Sequence, residues 1–231
     1  MAFCNRLIVA VALFSGLALV PARAHADQID FRGVGRASTV SIGGIRTGTF
    51  SAGELNWQWI GTAPEGFAQS FYAYCVDVTQ NLRDPQTVTR TTTAGFTNGV
   101  TDGGAKAAWL VNTFATTIHA ITNVSDANTK AAALQVAIWE AMYDSTAELT
   151  SGNFRLTGAS LTGAVRTQAA TYLDMLYGDV SYNTSVATLL EVRSPNLGQD
   201  QIVSSVSEPS TLLLMGVAIL VFARRARKSV A

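Results

Sequence analysis

The sequence predicts an α+β fold in which β-strands, arranged as a sandwich or a barrel, enclose an inserted helical segment. Residues 29–78 are rich in β-branched and aromatic side chains and are punctuated by glycines, a pattern typical of short strands joined by tight turns. Residues 104–178 instead carry apolar side chains at helical spacing. Strand-like patterns return at residues 185–193 and 199–206, so the helices are expected to lie between strands along the chain.

The helical segment contains three stretches with an apolar stripe, at residues 105–121, 126–144 and 160–177. Asp126 and Ser160 are expected to cap the second and third helices. A short polar side chain at the N-cap accepts a hydrogen bond from a backbone N–H that has no partner within the helix. The segment is therefore predicted to form three helices.

The first 26 residues have the pattern of a secretory signal peptide. A basic Arg6 precedes an apolar run at residues 7–20, and Ala24-His25-Ala26 gives the small residues that signal peptidase requires. The apolar run is too short to span a bilayer comfortably. We therefore expect export through the Sec route and a mature chain that starts at Asp27.

The C-terminal end carries a second targeting signal. An apolar run at residues 212–223 follows Ser207-Glu208-Pro209 and is shorter than the roughly 20 residues of a stable membrane span. Basic residues come directly after it, which favours keeping that end in the cytoplasm. These residues are Arg224, Arg225, Arg227 and Lys228.

This stretch resembles the PEP-CTERM sorting tail of Gram-negative bacteria, whose usual Pro-Glu-Pro reads Ser-Glu-Pro here. The resemblance implies processing by an exosortase-type transpeptidase, with Glu208, Pro209, Arg224 and Arg225 as sorting residues. It also implies a short C-terminal transmembrane sorting helix that anchors the chain before it reaches the cell surface or the extracellular matrix. The predicted organisation is a signal peptide at 1–26, an extracellular domain at 27–203 and a sorting tail at 204–231.

The charge of the body differs from that of the whole chain. The chain has 16 basic and 16 acidic residues, but residues 27–207 hold 10 of the basic and 15 of the acidic ones. An acidic body without a basic run argues against nucleic acid as a partner.

Two residues of the body are unusual for their predicted positions. Signal cleavage removes Cys4, which leaves Cys75 as a lone thiol in an oxidising compartment. On the second helix, Gln135 lies across from Glu140 and Asp144, which are expected to mark the solvated face. Gln135 is therefore predicted to point inward, and an unpaired amide there would cost about 1 to 3 kcal/mol.

One reaction accounts for both residues. A thiol that faces a carboxamide in a sheltered pocket can attack the amide carbon, expel ammonia and leave a Cys75–Gln135 thioester. Asp77 and His119 are the candidate helpers for proton transfer. Aromatic side chains that could exclude water from such a site are Tyr72, Tyr74 and Trp139.

YCVD at 74–77 and LQVAIW at 134–139 resemble the paired motifs of the bacterial thioester domains of the TQXA type, which occur on surface adhesins. The residue before the glutamine is Leu134, where the family's namesake motif has Thr. The resemblance implies that Cys75 and Gln135 are the thioester residues. It also implies a β-sandwich or barrel with an inserted helical part.

Three other interpretations remain open from the residues. Cys75 could be an ordinary buried strand cysteine and Gln135 a core amide bonded to backbone. Cys75 and His119 could form a hydrolase dyad, although no known cysteine-peptidase motif is present. A zinc site is the least favoured, since one Cys and one His do not complete a structural site.

The sequence therefore predicts a surface-sorted adhesion or extracellular-matrix protein without catalytic turnover, cofactor or metal. Its expected partners are the sorting enzyme, the membrane through the C-terminal helix, and an amine- or hydroxyl-bearing surface partner or exopolysaccharide. A structural matrix or biofilm component without a reactive bond is the alternative, and a cysteine hydrolase is the third hypothesis.

Overall fold

The computed structural model describes residues 26–192 and 198–204 of the chain. The predicted signal peptide and sorting tail fall on residues outside these ranges, apart from Ala26 and Ser204 at their edges. The predicted α+β class is confirmed, because a seven-stranded antiparallel sheet is combined with three α-helices. None of the helices within the described ranges is long and apolar enough to cross a bilayer.

The helices lie between the fourth and sixth strands along the chain. The strands are β1 (Ala26–Gly44), β2 (Gly48–Trp59), β3 (Ser70–Cys75), β4 (Gln86–Thr92), β5 (Phe154–Leu156), β6 (Thr188–Val192) and β7 (Gln201–Val203). The α-helices are α1 (Gly103–His119), α2 (Val124–Tyr143) and α3 (Ala164–Gly178). Two short 3-10 helices occur at Gly158–Leu161 and Val180–Thr184.

The strand pairings close a ring of six strands. The sheet order is β2-β3-β7-β6-β4-β1-β5, and an additional pairing between β1 and β2 joins the ends of the first six. The 19-residue β1 makes this closure possible, because its start pairs with β4, its middle with β2 and its end with β5. Each of the six strands is thus paired on both sides over part of its length, which reduces the edge available for pairing with another chain.

The first two strands are long, whereas the sequence predicted short strands joined by turns. The reason is that some glycines lie inside the ladder rather than in turns. Gly33 has a φ of 117° at a register shift of β1, and Gly53 has a φ of 142° opposite Ala37. A Cβ on Gly53 would lie 2.1 Å from the backbone oxygen of Arg36. These glycines permit bulges that bend the strands around the ring.

Two apolar clusters lie on opposite faces of the strands. The inner cluster draws residues from all six ring strands and none from a helix, so it fills the ring. The outer cluster packs the three helices against the other face of the strands. Adjacent residues of a strand point to opposite faces, so Cys75 belongs to the inner cluster and Tyr74 to the outer one.

Two of the expected helix caps differ from those observed. Asn123, not Asp126, is the N-cap of α2, and its side chain accepts a hydrogen bond from the Asp126 N–H. Gly163, not Ser160, precedes α3. Ser160 lies in a 3-10 helix, and its hydroxyl accepts from the Ser41 N–H instead. Asn123 thus makes a local cap, whereas Ser160 follows a tertiary contact that apolar spacing does not reveal.

The prediction that Glu140 marks a solvated face of α2 is wrong. The helix packs against α1, α3 and the strands, and every residue from 131 to 143 is buried. Both carboxylate oxygens of Glu140 are buried without a hydrogen-bond partner among the described residues. Burial raises the pKa of Glu140 to about 9, and the charges of Asp144 and Glu148 add to the rise. Glu140 is therefore protonated in the native protein at neutral pH.

Replacing Glu140 with Gln should stabilise the protein at neutral and alkaline pH. The pKa of Glu140 is higher in the folded state, about 9, than in the unfolded state, near 4.5. Its contribution to the free energy of unfolding is therefore most favourable below pH 4.5 and is lost as the pH rises toward 9. We expect Glu140→Gln to match the wild type near pH 5 and to exceed its free energy of unfolding by about 1 to 3 kcal/mol at pH 8. Urea denaturation across this range measures the difference.

Glu65→Gln is the matched control, because Glu65 is exposed. Its stability difference from the wild type should stay nearly constant between pH 5 and pH 9. Parallel pH profiles for Glu140→Gln and the wild type would contradict the buried, protonated carboxyl.

Candidate functional site

Cys75 is the last residue of β3, and its side chain is 3% exposed. It forms no disulfide. Its Sγ donates a hydrogen bond to the backbone oxygen of Asp77 at 3.1 Å. On the side facing β7, Cys75 is in register with Gln201, and the next residue, Val76, donates its N–H to the backbone oxygen of Asp200 at 3.0 Å. The strand therefore holds the thiol in place at the end of the inner cluster.

The side chain of Gln135 reaches from α2 to the backbone of Cys75 and is 1% exposed. The Cys75 N–H donates to Gln135 Oε1 at 2.9 Å, and Gln135 Nε2 donates to the Cys75 oxygen at 2.7 Å. The pairing of β3 with β2 runs from Gln58 opposite Ser70 to Leu55 opposite Ala73 and stops there. Cys75 carries the next N–H and C=O groups of β3 that point toward β2. The Gln135 carboxamide bonds to these two groups in place of a β2 residue.

The surroundings of the thiol keep it protonated. Burial raises the pKa of the Cys75 thiol to about 12, and the charges of Asp77 and Asp200 act in the same direction. The hydrogen bond to the Asp77 carbonyl and the nearby indole N–H of Trp139 oppose the rise only in part. Trp139 Nε1 itself has no hydrogen-bond acceptor within the described part of the chain. At neutral pH, Cys75 is a thiol and not a thiolate.

A small cavity of about 80 Å³ adjoins the pair. Cys75 and Gln135 both line it, together with Leu55 from the inner cluster and Trp139 from α2. Its volume exceeds the roughly 30 Å³ that a water molecule occupies in the liquid. A small molecule therefore has room beside both the thiol and the carboxamide.

The carboxylate of Asp77 does not share a strand face with the thiol, because β3 ends at Cys75. Asp77 is 5% exposed, and its Oδ1 accepts from the Thr79 N–H at 2.9 Å and the Thr79 hydroxyl at 2.6 Å. The Tyr143 hydroxyl also donates to Oδ1 at 3.2 Å. The backbone carbonyl of Asp77 is the group that contacts the thiol.

His119 lies in a different cluster from Cys75. It is the last residue of α1, and its Nδ1 is 2.8 Å from Arg36 Nη1 and 3.5 Å from Glu54 Oε2. Its ring centroid is 4.1 Å from that of Tyr72. No hydrogen bond or ion pair of the described residues joins His119 to Cys75 or Gln135.

Of the three aromatic residues considered as a wall for the thiol, only Trp139 lines the small cavity. Tyr72 is 46% exposed, and Tyr74 belongs to the outer cluster. Their positions follow from strand alternation, since both lie on the face of β3 opposite to Cys75. The cavity is instead lined mainly by residues of β2 and α2.

Sequence analysis did not identify Tyr143 and Asp200. Tyr143 donates to Asp77 and accepts from the Val78 N–H at 3.2 Å, so it fixes the chain just beyond Cys75. Burial raises the pKa of Asp200 to about 6, and its Oδ1 accepts from the Val192 N–H at 2.7 Å. Tyr143 is two helical turns after Gln135, a spacing that could have revealed it. No local pattern singles out Asp200.

A sequence model of the PEP-CTERM protein-sorting motif matches residues 205–228. No curated protein and no solved structure gives a significant match to the chain. The motif implies export, sorting at the membrane and processing by an exosortase-type enzyme. The protein is accordingly an exported, surface-sorted protein, and its motif lies outside the residues that the structure describes.

In a host that has the sorting enzyme, we expect the surface form to lose its tail near Glu208-Pro209. Terminal peptide mapping should then find Asp27 at the start and no peptide that contains Arg225 or Lys228. Recovery of these basic residues from the surface form would contradict processing. Neutral replacement of the four basic tail residues should weaken retention, because the cytoplasmic charge is removed.

Replacing Gln135 with Met should lower the free energy of unfolding by about 2 to 4 kcal/mol, because it leaves the buried N–H and C=O of Cys75 without partners. Urea denaturation at neutral pH measures the loss. Gln168→Met on α3 is the matched control, since this side chain is partly exposed and should change stability by less than about 0.5 kcal/mol. Equal losses in the two variants would show that the carboxamide pairing contributes little.

Proposed function

We propose that the protein is a surface adhesion or extracellular-matrix protein that binds its partner covalently through a Cys75–Gln135 thioester. The observation that carries the proposal is the docking of the Gln135 carboxamide on the backbone of Cys75 itself. The two hydrogen bonds hold the carboxamide against the backbone of the residue that carries the thiol. The PEP-CTERM motif supports sorting to the cell surface, where such a bond to a partner would form.

The proposed bond forms by displacement of ammonia. Cys75 Sγ attacks Gln135 Cδ, the bond between Cδ and Nε2 breaks, and the thiol proton leaves with the amide nitrogen as ammonia. The Cys75 N–H already donates to Oε1, so it would stabilise the negative charge that develops on this oxygen. The second hydrogen bond, from Nε2 to the Cys75 oxygen, is lost with the ammonia.

Proton transfer is the demanding step, since the thiol pKa is about 12. Asp77 and Asp200 are the carboxylates whose charges act on the thiol. The Asp77 carboxylate is occupied by Thr79 and Tyr143, whereas Asp200 has a pKa of about 6 and can exchange a proton near neutral pH. Asp200 is therefore the better candidate for a general base.

The proposed mechanism is a single-use acyl transfer. An amine or hydroxyl of the partner attacks the Gln135 carbonyl carbon, the bond to Sγ breaks, and Cys75 leaves with one proton. Partner and protein are then joined through an amide or an ester. This reaction consumes the site, so the protein would have no catalytic turnover.

The second candidate is a structural matrix component in which the same residues only hold the fold together. The favouring observation is that the amide already satisfies two backbone groups while the thiol is protonated. The cysteine-hydrolase hypothesis has less support, because His119 bonds to Arg36 in a separate cluster.

The intact mass of the body separates the two candidates. Residues 27–204, expressed without the terminal segments, should weigh less than calculated by one ammonia. Cys75→Ala and Gln135→Ala should each have the mass calculated for that variant, because neither can form the bond. Methylamine should add to Gln135 of the wild type and release one thiol per chain, while both variants remain unmodified.

Asp200→Asn and Asp77→Asn compare the two carboxylates as proton acceptors. We expect the first to slow bond formation after refolding by about tenfold or more, and the second to slow it less. A wild-type mass equal to the calculated value, with one alkylatable thiol after denaturation, would reject the thioester. That result would support the structural component.

A further inference from the structure

A second cleft lies beside β3 and α1, away from the small cavity at Cys75. It consists of a cavity of about 350 Å³ and a more open one of about 720 Å³, and the side chains of Tyr72 and His119 line both. Both volumes fall within the range of about 300 to 1,000 Å³ that is usual for small-molecule sites. Neither Cys75 nor Gln135 lines either cavity.

The polar side chains of the cleft form a compact network. Arg36 Nη1 is 2.8 Å from His119 Nδ1 and 3.4 Å from Glu54 Oε2. A guanidinium group only donates hydrogen bonds, so His119 Nδ1 is the acceptor and the imidazole proton is on Nε2. Because His119 is 40% exposed, its Nε2–H is available as a donor to a ligand. Glu54, which is 1% exposed, balances the charge of Arg36.

The cleft also offers an exposed aromatic surface. Tyr72 is 46% exposed in the middle of β3, and its ring packs against that of His119 at 4.1 Å between centroids. The smaller cavity is mainly apolar, with Phe67 and Phe71 among the residues that line it. An aromatic ring held by neighbours gives contact area at a low cost in conformational entropy.

Two residues that line the cleft carry buried polar atoms. Asn56 Oδ1 has no hydrogen-bond partner within residues 26–192 and 198–204, and the Tyr74 hydroxyl lies near the Glu54 carboxylate. Burial raises the pKa of Tyr74 well above its usual value, and the charge of Glu54 adds to the rise. Both atoms are shielded from solvent, so a ligand in the cleft would contact the exposed side chains of Tyr72 and His119 instead.

We propose that this cleft binds a neutral saccharide chain. Sugar rings combine an apolar face, which stacks on an aromatic side chain such as Tyr72, with hydroxyls that both donate and accept hydrogen bonds. Those hydroxyls match the exposed His119 Nε2–H donor. The Arg36 and Glu54 charges balance, so the site offers no net charge for an anionic ligand.

The saccharide site deepens the proposed role at the surface or in the matrix by naming the chemistry of the partner. The cleft shares no lining residue with the small cavity beside Cys75 and Gln135. Binding at the cleft is reversible and needs neither Cys75 nor Gln135. Failure of the saccharide site and failure of the thioester are therefore distinguishable.

The test measures binding to immobilised oligosaccharides that include neutral, amino-sugar and uronic-acid chains. The wild-type body should bind at least one neutral chain, and Tyr72→Ala and His119→Ala should each weaken that binding about tenfold or more. Tyr72→Phe should retain most of the affinity, because it keeps the stacking ring. Met175→Ala is the matched control, since Met175 on α3 is 48% exposed and should leave binding unchanged.

Cys75→Ala should bind the neutral chains as the wild type does. Its circular dichroism spectrum should match that of the wild type, which checks that the variant is folded. Loss of binding in this variant would overturn the assignment to the Tyr72 cleft. The proposal is also overturned if no neutral chain binds, if Tyr72→Ala binds as tightly as the wild type, or if only uronic-acid chains bind.

Discussion

The pair of hydrogen bonds between the Gln135 carboxamide and the Cys75 backbone joins the central helix to the ring of strands. The β2–β3 ladder stops at Leu55 and Ala73. Without Gln135, the next N–H and C=O groups of β3 on the β2 side, which belong to Cys75, would have no partners. In a closed ring packed against helices, water does not reach these groups, and each unpaired group would cost about 1 to 3 kcal/mol. The position of α2 over the end of β3 therefore depends on a polar side chain at position 135.

The same contact places a carboxamide against the residue that carries the thiol. A carboxamide that takes the place of one strand residue must lie against the backbone of the residue opposite, and here that residue is a cysteine. Burial then has two opposite effects on a thioester. It excludes water, which protects such a bond from hydrolysis, and it raises the pKa of the thiol to about 12, which slows its formation. The balance between these effects depends on the nearby carboxylates.

Strand alternation separates the two candidate sites of the body. Cys75 faces the inside of the ring, whereas Tyr74 and Tyr72 face the helices and the cleft beside His119. His119 contacts Arg36 and Glu54. The only histidine of the described residues therefore lies at the cleft and not beside the thiol. One short strand thus carries the buried thiol on one face and the exposed aromatic ring of Tyr72 on the other.

The sequence by itself determined the sorting motif, the α+β class and the inward direction of Gln135, because each depends on a local pattern of apolar, basic or helical spacing. Only the tertiary structure decided the length of β1 and β2, the burial of Glu140 and the partner of Gln135. A helical pattern identifies one apolar face, but residues 131–143 of α2 are covered on every side, so the apparent polar face at Glu140 is buried as well. Likewise, glycines in a sequence do not distinguish a turn from a bulge, since the difference depends on a neighbouring strand such as the one opposite Gly53.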